Sequence, residues 1–556
     1  VRSFVAKLFF ILYILISVSK PVNGQLFIER YRVERLDLKY FWTAGFSERQ
    51  IPNIYPLRQT FVNSYLDDTN IRDNSYRYSY YLKNLYYILY GIDPQKTYTN
   101  RTRNLIERLG FREISRSFFG YNASLYQKYD KDIILSINPV FRIETVKDET
   151  FQNKNITIQS TGIESWLTWK NRIGAYVRFF DTAERGLKYL RGRQDIYGPY
   201  AGNIIVDKQS VYYDETTAYI GYSGPLFSAR IGRGRHQWGP GIYHNLFLSA
   251  QHPPYNYFEL RFHYNNTIFF TYLHATLDPT PLEKEVIYYS EEGKARKINH
   301  RKYLAAHRIE FLPLHWLSFG LSEAVIYGDR NIELGYLIPT NVFWSEGHDY
   351  KYDDNILWSF DTEIRFKKGL VGYGALLFDE MKLSEFGSDS PHNRAGYLGG
   401  VRWVHPLGFP RHELLIEYIR LRPFVYGHWF DINIPTHFGY PLGTSLPPNS
   451  DELRTSWKIH IRPDFTLNFF TNFQRHGSTP QGQDPVGGSI HEIHDEKVNT
   501  NRKYPFLDGK REDLREIGLE GSFRLLERVE LKAVWGMGKY INDNYKRFSF
   551  GLFWNY

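Results

Sequence analysis

Cysteine is absent from the 556-residue chain. That absence excludes disulfides, thiolate metal sites, cysteine nucleophiles and lipid attachment through an N-terminal cysteine. Long apolar runs are scarce as well. The run "LFFILYILISV" (Leu8 to Val18) is too short to cross a bilayer as a helix, which takes about 20 apolar residues. No other stretch is apolar enough for a spanning helix. The chain also lacks the phosphate-binding patterns: the segment "GRGRHQWGPG" (232 to 241) has no Gly-Lys-Ser/Thr and no strand-GxGxxG-helix frame. Charge is nearly balanced, at +9 formally and +6 once Arg2, Lys7 and Lys20 are removed with the leader described next. Such a balance argues for acidic ligands or surfaces rather than nucleic acid.

What is present points to export. Arg2 and Lys7 precede the short apolar run, and "SKPVNG" follows it. A charged head, a short apolar stretch and small residues before Gly24 read as a leader comprising residues 1–24. Aromatics are abundant, with 45 Tyr, 40 Phe and 12 Trp, while the mean hydropathy is −0.46. A transmembrane barrel reconciles the two, because its aromatics form outward bands and interfacial girdles around a polar interior.

Alternation of apolar and polar residues marks strands. In "RFSFGLFWNY" the residues Phe548, Phe550, Leu552, Trp554 and Tyr556 share one face, as in a closing barrel strand. From residue 303 onward the strands come in pairs joined by tight turns: around Pro313, at "KKG" (367–369), at "HPLGFPRH" (405–412), at Pro463 and at "LLER" (525–528). Longer polar segments, 326–357, 379–395, 422–452 and 475–512, separate the pairs. Short turns on one side and long loops on the other are the asymmetry of bacterial outer-membrane barrels. With strands near 133–146, 156–169, 172–181, 215–222, 226–233, 257–263 and 267–276, the count reaches eighteen. A run at 121–129 is a further candidate, so the barrel region is taken as 121–556. Residues 25–120 read differently. "NSYRYSYYLKNLYYILYG" and "NRTRNLIERLGF" have helical spacing, which predicts a small helical element on the periplasmic side, able to cap the barrel mouth or dock an export or assembly partner.

Facing follows from the same alternation. In "WSFDTEIRF" the set Ser359, Asp361, Glu363 and Arg365 opposes an apolar face, and in "LRTSWKIHI" Arg454, Ser456, Lys458 and His460 do the same. The lumen is therefore expected to hold both signs of charge, either paired with one another or contacting a ligand. The spacing places Arg230 on an outward-running strand and Arg233, Arg235 and Trp238 at the start of an external loop. Guanidinium groups pair with carboxylates or phosphates, and a tryptophan can stack on a sugar ring. This set fits an acidic polysaccharide; the alternative is a loop folded back and salt-bridged to lumen acids.

The segments "SARIGRGRHQWGPGIYHNLFLS", "AAHRIEF", "YGDRNIELGYLIPTNVF", "DDNILWSFD", "LLFDEM", "RPFVYGH" and "PLGTSLPPNS" resemble the Wzi-like outer-membrane capsule-assembly family, in order, from about residue 130 to the end. The resemblance implies an all-β transmembrane barrel of about 18 antiparallel strands in the outer membrane. It also implies a lectin that tethers or organises capsular or extracellular polysaccharide. It does not imply an enzyme, and no cofactor or metal is expected. The candidate carbohydrate-binding residues are Arg230, Arg233, Arg235, Trp238, Arg308 (in "AAHRIEF"), Asp361, Glu363, Arg365, Arg454 and Lys458. The segment 475–512 and the basic "EEGKARKINHRK" look particular to this chain.

Two other readings compete. A hydrolase could draw on His428 or on "HEIHDE" (491–496), but no G-x-S-x-G elbow occurs and the two histidines are three apart, unlike the zinc-protease helix. A porin or sugar-uptake channel would share the fold, and fold does not settle function. Whether the lumen is open or plugged discriminates these readings.

Overall fold

In a computed structural model, the described residues are 27–28, 54–55, 57–58, 126–129, 132–149, 155–170, 172–186, 204–207 and, with short gaps, 210–554. The expected leader and the two expected N-terminal helices lie outside them.

Eighteen long strands form the wall. The first nine are β1 (Ile133–Asp148), β2 (Asn155–Trp169), β3 (Ile173–Arg185), β4 (Ser210–Ser223), β5 (Phe227–Gly234), β6 (Tyr255–Tyr264), β7 (Ile268–Leu277), β8 (Lys302–Leu314) and β9 (Leu317–Gly328). The second nine are β10 (Asn355–Lys367), β11 (Leu370–Asp379), β12 (Ala395–Val404), β13 (His412–Leu421), β14 (Ser450–Arg462), β15 (Phe465–Ser478), β16 (Leu514–Leu526), β17 (Val529–Tyr540) and β18 (Asp543–Trp554). Each pairs antiparallel with its neighbours in sequence, and β18 closes the ring on β1, from Arg547 opposite Asp148 to Trp554 opposite Phe141. Closure removes the exposed apolar edge that the C-terminal strand would otherwise present. The run at 121–129 contributes only Tyr126–Tyr129, which pairs with Ile134–Ile137 of β1 beside the end of β18.

The alternation holds along the wall. On β10, Ser359, Asp361, Glu363 and Arg365 are buried in the interior, while Phe360 and Phe366 are exposed. On β18, Arg547 and Ser549 point in and Phe548 and Phe550 point out. Outward apolar side chains on nearly every strand make the lipid belt. One turn differs in detail from expectation. Pro313 sits inside β8 at a register shift between Phe311 and Leu314, and the chain reverses at His315–Trp316. A proline lacks the N–H for a ladder bond, so it is accommodated at a bulge.

Candidate functional site

The loop that follows β5, residues 235–254, folds inward instead of standing out. From His236 to Gly241 every residue is buried, and Leu246, Phe247 and Leu248 are 2–4% exposed or less. Two glycines make the fold possible. Gly239 has φ of 124°, and a Cβ on Gly241 would lie 1.7 Å from the His244 carbonyl oxygen. Gln237–Trp238 pairs with Leu248–Ser249 on one side and with Ile54–Tyr55 on the other, giving a three-stranded sheet. These last two residues, from the region expected at the periplasmic mouth, thus lie against the loop strand.

The tip of this plug is clamped to the far wall. Glu417 of β13, 1% exposed, accepts the backbone N–H groups of Ile242 (2.7 Å), Tyr243 (3.0 Å) and His244 (2.8 Å) and the Tyr373 hydroxyl (2.7 Å). His244 binds Thr444 Oγ1 (2.8 Å) and Glu452 Oε1 (2.7 Å) through its two ring nitrogens. Around these polar anchors an apolar core forms inside the barrel. Trp238, Phe247 and Leu248 pack there with Leu377, Leu398 and Ile419 of the wall and with Val425, Leu442 and Leu446 of the second infolded loop, 422–449. Both loops thus occupy the lumen and pack against each other there.

The site residues read from the sequence mostly serve this architecture. Arg230 is 1% exposed, bidentate to Glu259 (3.0 and 3.0 Å), and flanked by the rings of Tyr219 and Tyr257. Arg235 is bidentate to Glu215 (2.7 and 2.6 Å). Trp238 is fully buried and stacks on Phe247 at 5.9 Å. An external patch made of all four residues is therefore not what the fold builds, and the folded-back alternative describes the loop. The reason is hydrophobic: the loop carries an apolar set, Trp238, Leu246, Phe247 and Leu248, that an outward excursion would leave in water. Arg233, like Arg235, stays half-buried, and it lies at the rim without a carboxylate at hydrogen-bonding distance, 3.5 Å from Asn256 Oδ1. Arg308 is bidentate to Asp361 (2.6 and 2.9 Å) and bonds Ser322 (3.0 Å). Glu363 and Arg365 are buried in the wall, Arg454 pairs with Glu452 and lies 5.5 Å over the Tyr243 ring, and Lys458 stands opposite Glu413 in the ladder. His428 is buried, and its Nδ1 accepts the Phe430 N–H.

What faces outward is a layer of loops that the sequence reading did not assemble. Phe424 and Tyr504 meet edge-on at 4.9 Å, and Trp429 packs against them. Arg420 lies 3.8 Å from the Phe506 ring centroid. Asn449 ties the layer together, donating to Gly477 O and Asp508 O and accepting from Leu507 N. On top stand the exposed side chains of Phe430, Lys503, Lys510 and Arg511, together with Gln481 and Gln483. The adjacent aromatics of "GHWFD" were the available signal for Trp429 and Phe430.

Three plug histidines are held neutral. Burial lowers His236 and His437 to about 4 and drives His252 well below its usual range. Arg230, Glu259 and Arg261 face His236; His437, Arg235 and His236 face His252; Asp278, Arg233 and Lys302 face His437. A released loop takes up protons near pH 6.5 that the docked loop refuses until about 4, so docking weakens as pH falls through that window. Hydrogen exchange of residues 235–254 is expected to be protected at pH 7.5 and to lose protection, corrected for intrinsic rates, by pH 4.5. Equal protection at both values would contradict this.

A closed barrel with a lipid belt, an interior stitched by ion pairs and a lumen filled by infolded loops defines a plugged outer-membrane β-barrel. Within that class, the model of the capsule assembly protein Wzi family matches residues 108–548, and the chain belongs to that family. A solved structure of Escherichia coli Wzi, an outer membrane protein involved in group 1 capsule assembly and a carbohydrate-binding β-barrel, is similar with a TM-score of 0.56 at 12% identity, covering 96% of this chain and 99% of that one. Acinetobacter baumannii OccAB2 (TM-score 0.42, 12% identity, 76% and 98% covered) and Pseudomonas aeruginosa OprD (0.41, 10%, 76% and 93%) are more distant barrels. No curated protein matches the chain in sequence.

Proposed function

We propose that this protein is a lectin-like outer-membrane barrel that binds and organises capsular or extracellular polysaccharide at the cell surface. The observation that carries this reading is the plug: the loop tip bound to Glu417 and the apolar core around Trp238 fill the path that a porin or uptake channel keeps open. Membership of the capsule-assembly family supports the same conclusion. Binding, rather than catalysis, is the role we assign.

The contact surface is the outer loop layer. Phe430 offers an aromatic face for a sugar ring, and Lys503, Lys510 and Arg511 offer charge to an acidic glycan. The original arginine set keeps one member at the rim, Arg233. The others brace the plug from below and would act on glycan binding only through it.

The test combines two readings on one preparation. Purified protein in a planar bilayer is expected to be electrically silent, and in proteoliposomes to retain an acidic polysaccharide. Phe430→Ala and Lys503→Ala should each weaken retention about tenfold, equivalent to about 1.4 kcal/mol, without lowering thermal stability. Large steady conductance with no glycan retention would make the protein a porin.

A further inference from the structure

The loop between β9 and β10, residues 329–354, folds the opposite way from the plug. It lies down on the outside of the barrel. Tyr336 and Phe343 of this loop are fully buried against Tyr272, Tyr303, Ala305, Val325 and Tyr327, which occupy the outward faces of β7, β8 and β9. The Tyr272 hydroxyl donates to the Tyr336 carbonyl at 2.7 Å.

A carboxylate fixes the arrangement. Glu323 alternates with the lumen residues Ser322 and Ala324, so it projects outward from β9, yet it is 1% exposed. Its oxygens accept the Phe343 and Trp344 N–H groups (3.1 and 2.8 Å) at the start of helix α1 (Phe343–Tyr350), and His307 lies 3.0 Å away. A charge on a lipid face is unfavourable unless covered, and the helix terminus covers it. Within the loop, Asp354 takes Arg330 at 2.9 Å and the Tyr336 hydroxyl at 2.8 Å, so the fold of the loop is set before anything binds.

Having buried one side on the wall, the loop exposes another apolar side. Ile332, Leu334, Leu337, Ile338, Val342 and Trp344 are 39–77% exposed. The other long loops expose, among the described residues, only Ile205, Tyr289 and Phe430 of this class. Beneath α1 a cleft of about 710 Å³ has a polar end at His348, Lys351, Asp353 and Asp354 and an apolar end between Trp344 and the outward aromatics Trp358, Phe360 and Phe378. Phe360 and Phe378 belong to the lipid belt, so the cleft and the loop edge continue a surface that lipid already covers.

We propose that residues 329–354 form an outer-leaflet anchor, whose exposed apolar edge lies among lipid acyl chains and whose cleft takes an acyl chain of an outer-leaflet lipid. The anchor holds one side of the loop layer at the bilayer surface.

The cysteine-free chain makes the test direct. Leu334→Cys, Ile338→Cys and Trp344→Cys are each labelled with a nitroxide in proteoliposomes of phosphatidylethanolamine and phosphatidylglycerol, with Gln483→Cys as the aqueous reference. Unchanged far-UV circular dichroism and heat-modifiable gel mobility establish folding, and three separate positions guard against loss of one variant. The anchor predicts labels that collide readily with dissolved oxygen and poorly with a water-soluble nickel chelate, the reverse of position 483. Chelate access equal to that at 483 would place the loop in water. Protection from both reagents would mean that protein, such as a second copy of the chain, covers it. Either result overturns the proposal.

Discussion

Replacing Glu417 by alanine is expected to release the plug and turn a silent barrel into one with frequent current steps. The carboxylate satisfies three consecutive backbone N–H groups and one hydroxyl in a site from which water is excluded. Hydrogen bonds to charged groups are stronger than neutral ones, and donors left buried without an acceptor carry their full desolvation penalty. With about 1–3 kcal/mol for each buried donor left unsatisfied, and partial relaxation of the loop, docking weakens by about 3–5 kcal/mol. The wall itself does not depend on Glu417, because the β13 ladder to β12 and β14 is made by backbone groups. The barrel should therefore keep its thermal transition while residues 235–254 become accessible to protease. Glu417→Gln should give an intermediate effect, since the amide retains one acceptor oxygen. A silent bilayer and a protease-resistant loop in Glu417→Ala would show that the apolar core around Trp238 holds the plug unaided.

The second large effect concerns the wall. Arg308→Met should lower the stability of the barrel by about 3–5 kcal/mol, because it strands the buried Asp361 carboxylate and removes a 3.5 Å cationic contact from Glu310. The site is shaped for the guanidinium: a Cβ on Gly320, across the ladder, would come within 2.1 Å of Arg308 Nη2. The companion variant Arg308→Met/Asp361→Asn removes the stranded Asp361 charge and should recover part of the loss. Thermal melts in detergent followed by far-UV circular dichroism provide the comparison. Equal melting of the single variant and the wild type would mean that water reaches this part of the lumen and screens the pair.

Much of the barrel was legible because its signals are local. Period-two alternation placed the strands within a few residues, since each strand meets lipid on one face and a polar interior on the other. Short turns gather at one end of the barrel and long loops at the other, as their lengths in the sequence indicate. The inward facing of Asp361, Glu363, Arg365, Arg454 and Lys458 followed from the same alternation. Pro313 was misplaced by two residues because proline marks a turn and a bulge equally well.

The loops were not legible in the same way. "GRGRHQWGPG" and "YGDRNIELGYLIPTNVF" both read as excursions from a strand end. One enters the lumen and the other lies on the lipid face. Nothing in either segment alone separates the two, because the direction depends on partners far away in sequence. The plug depends on Glu417 and Glu452, more than 170 and 200 residues on; the outer loop depends on Glu323 and on tyrosines of β7 to β9.

The sequence by itself determined a cysteine-free, lipid-facing barrel with a charged interior, because burial alternation and turn chemistry act over a few residues. Only the tertiary structure decided that Arg230 and Arg235 brace a plug, that Glu323 is capped on the outer wall, and that the aromatic and basic surface lies in loops 422–449 and 479–513. Those outcomes depend on carboxylates, backbone donors and apolar side chains meeting across the closed ring, and closure is what brings them within reach.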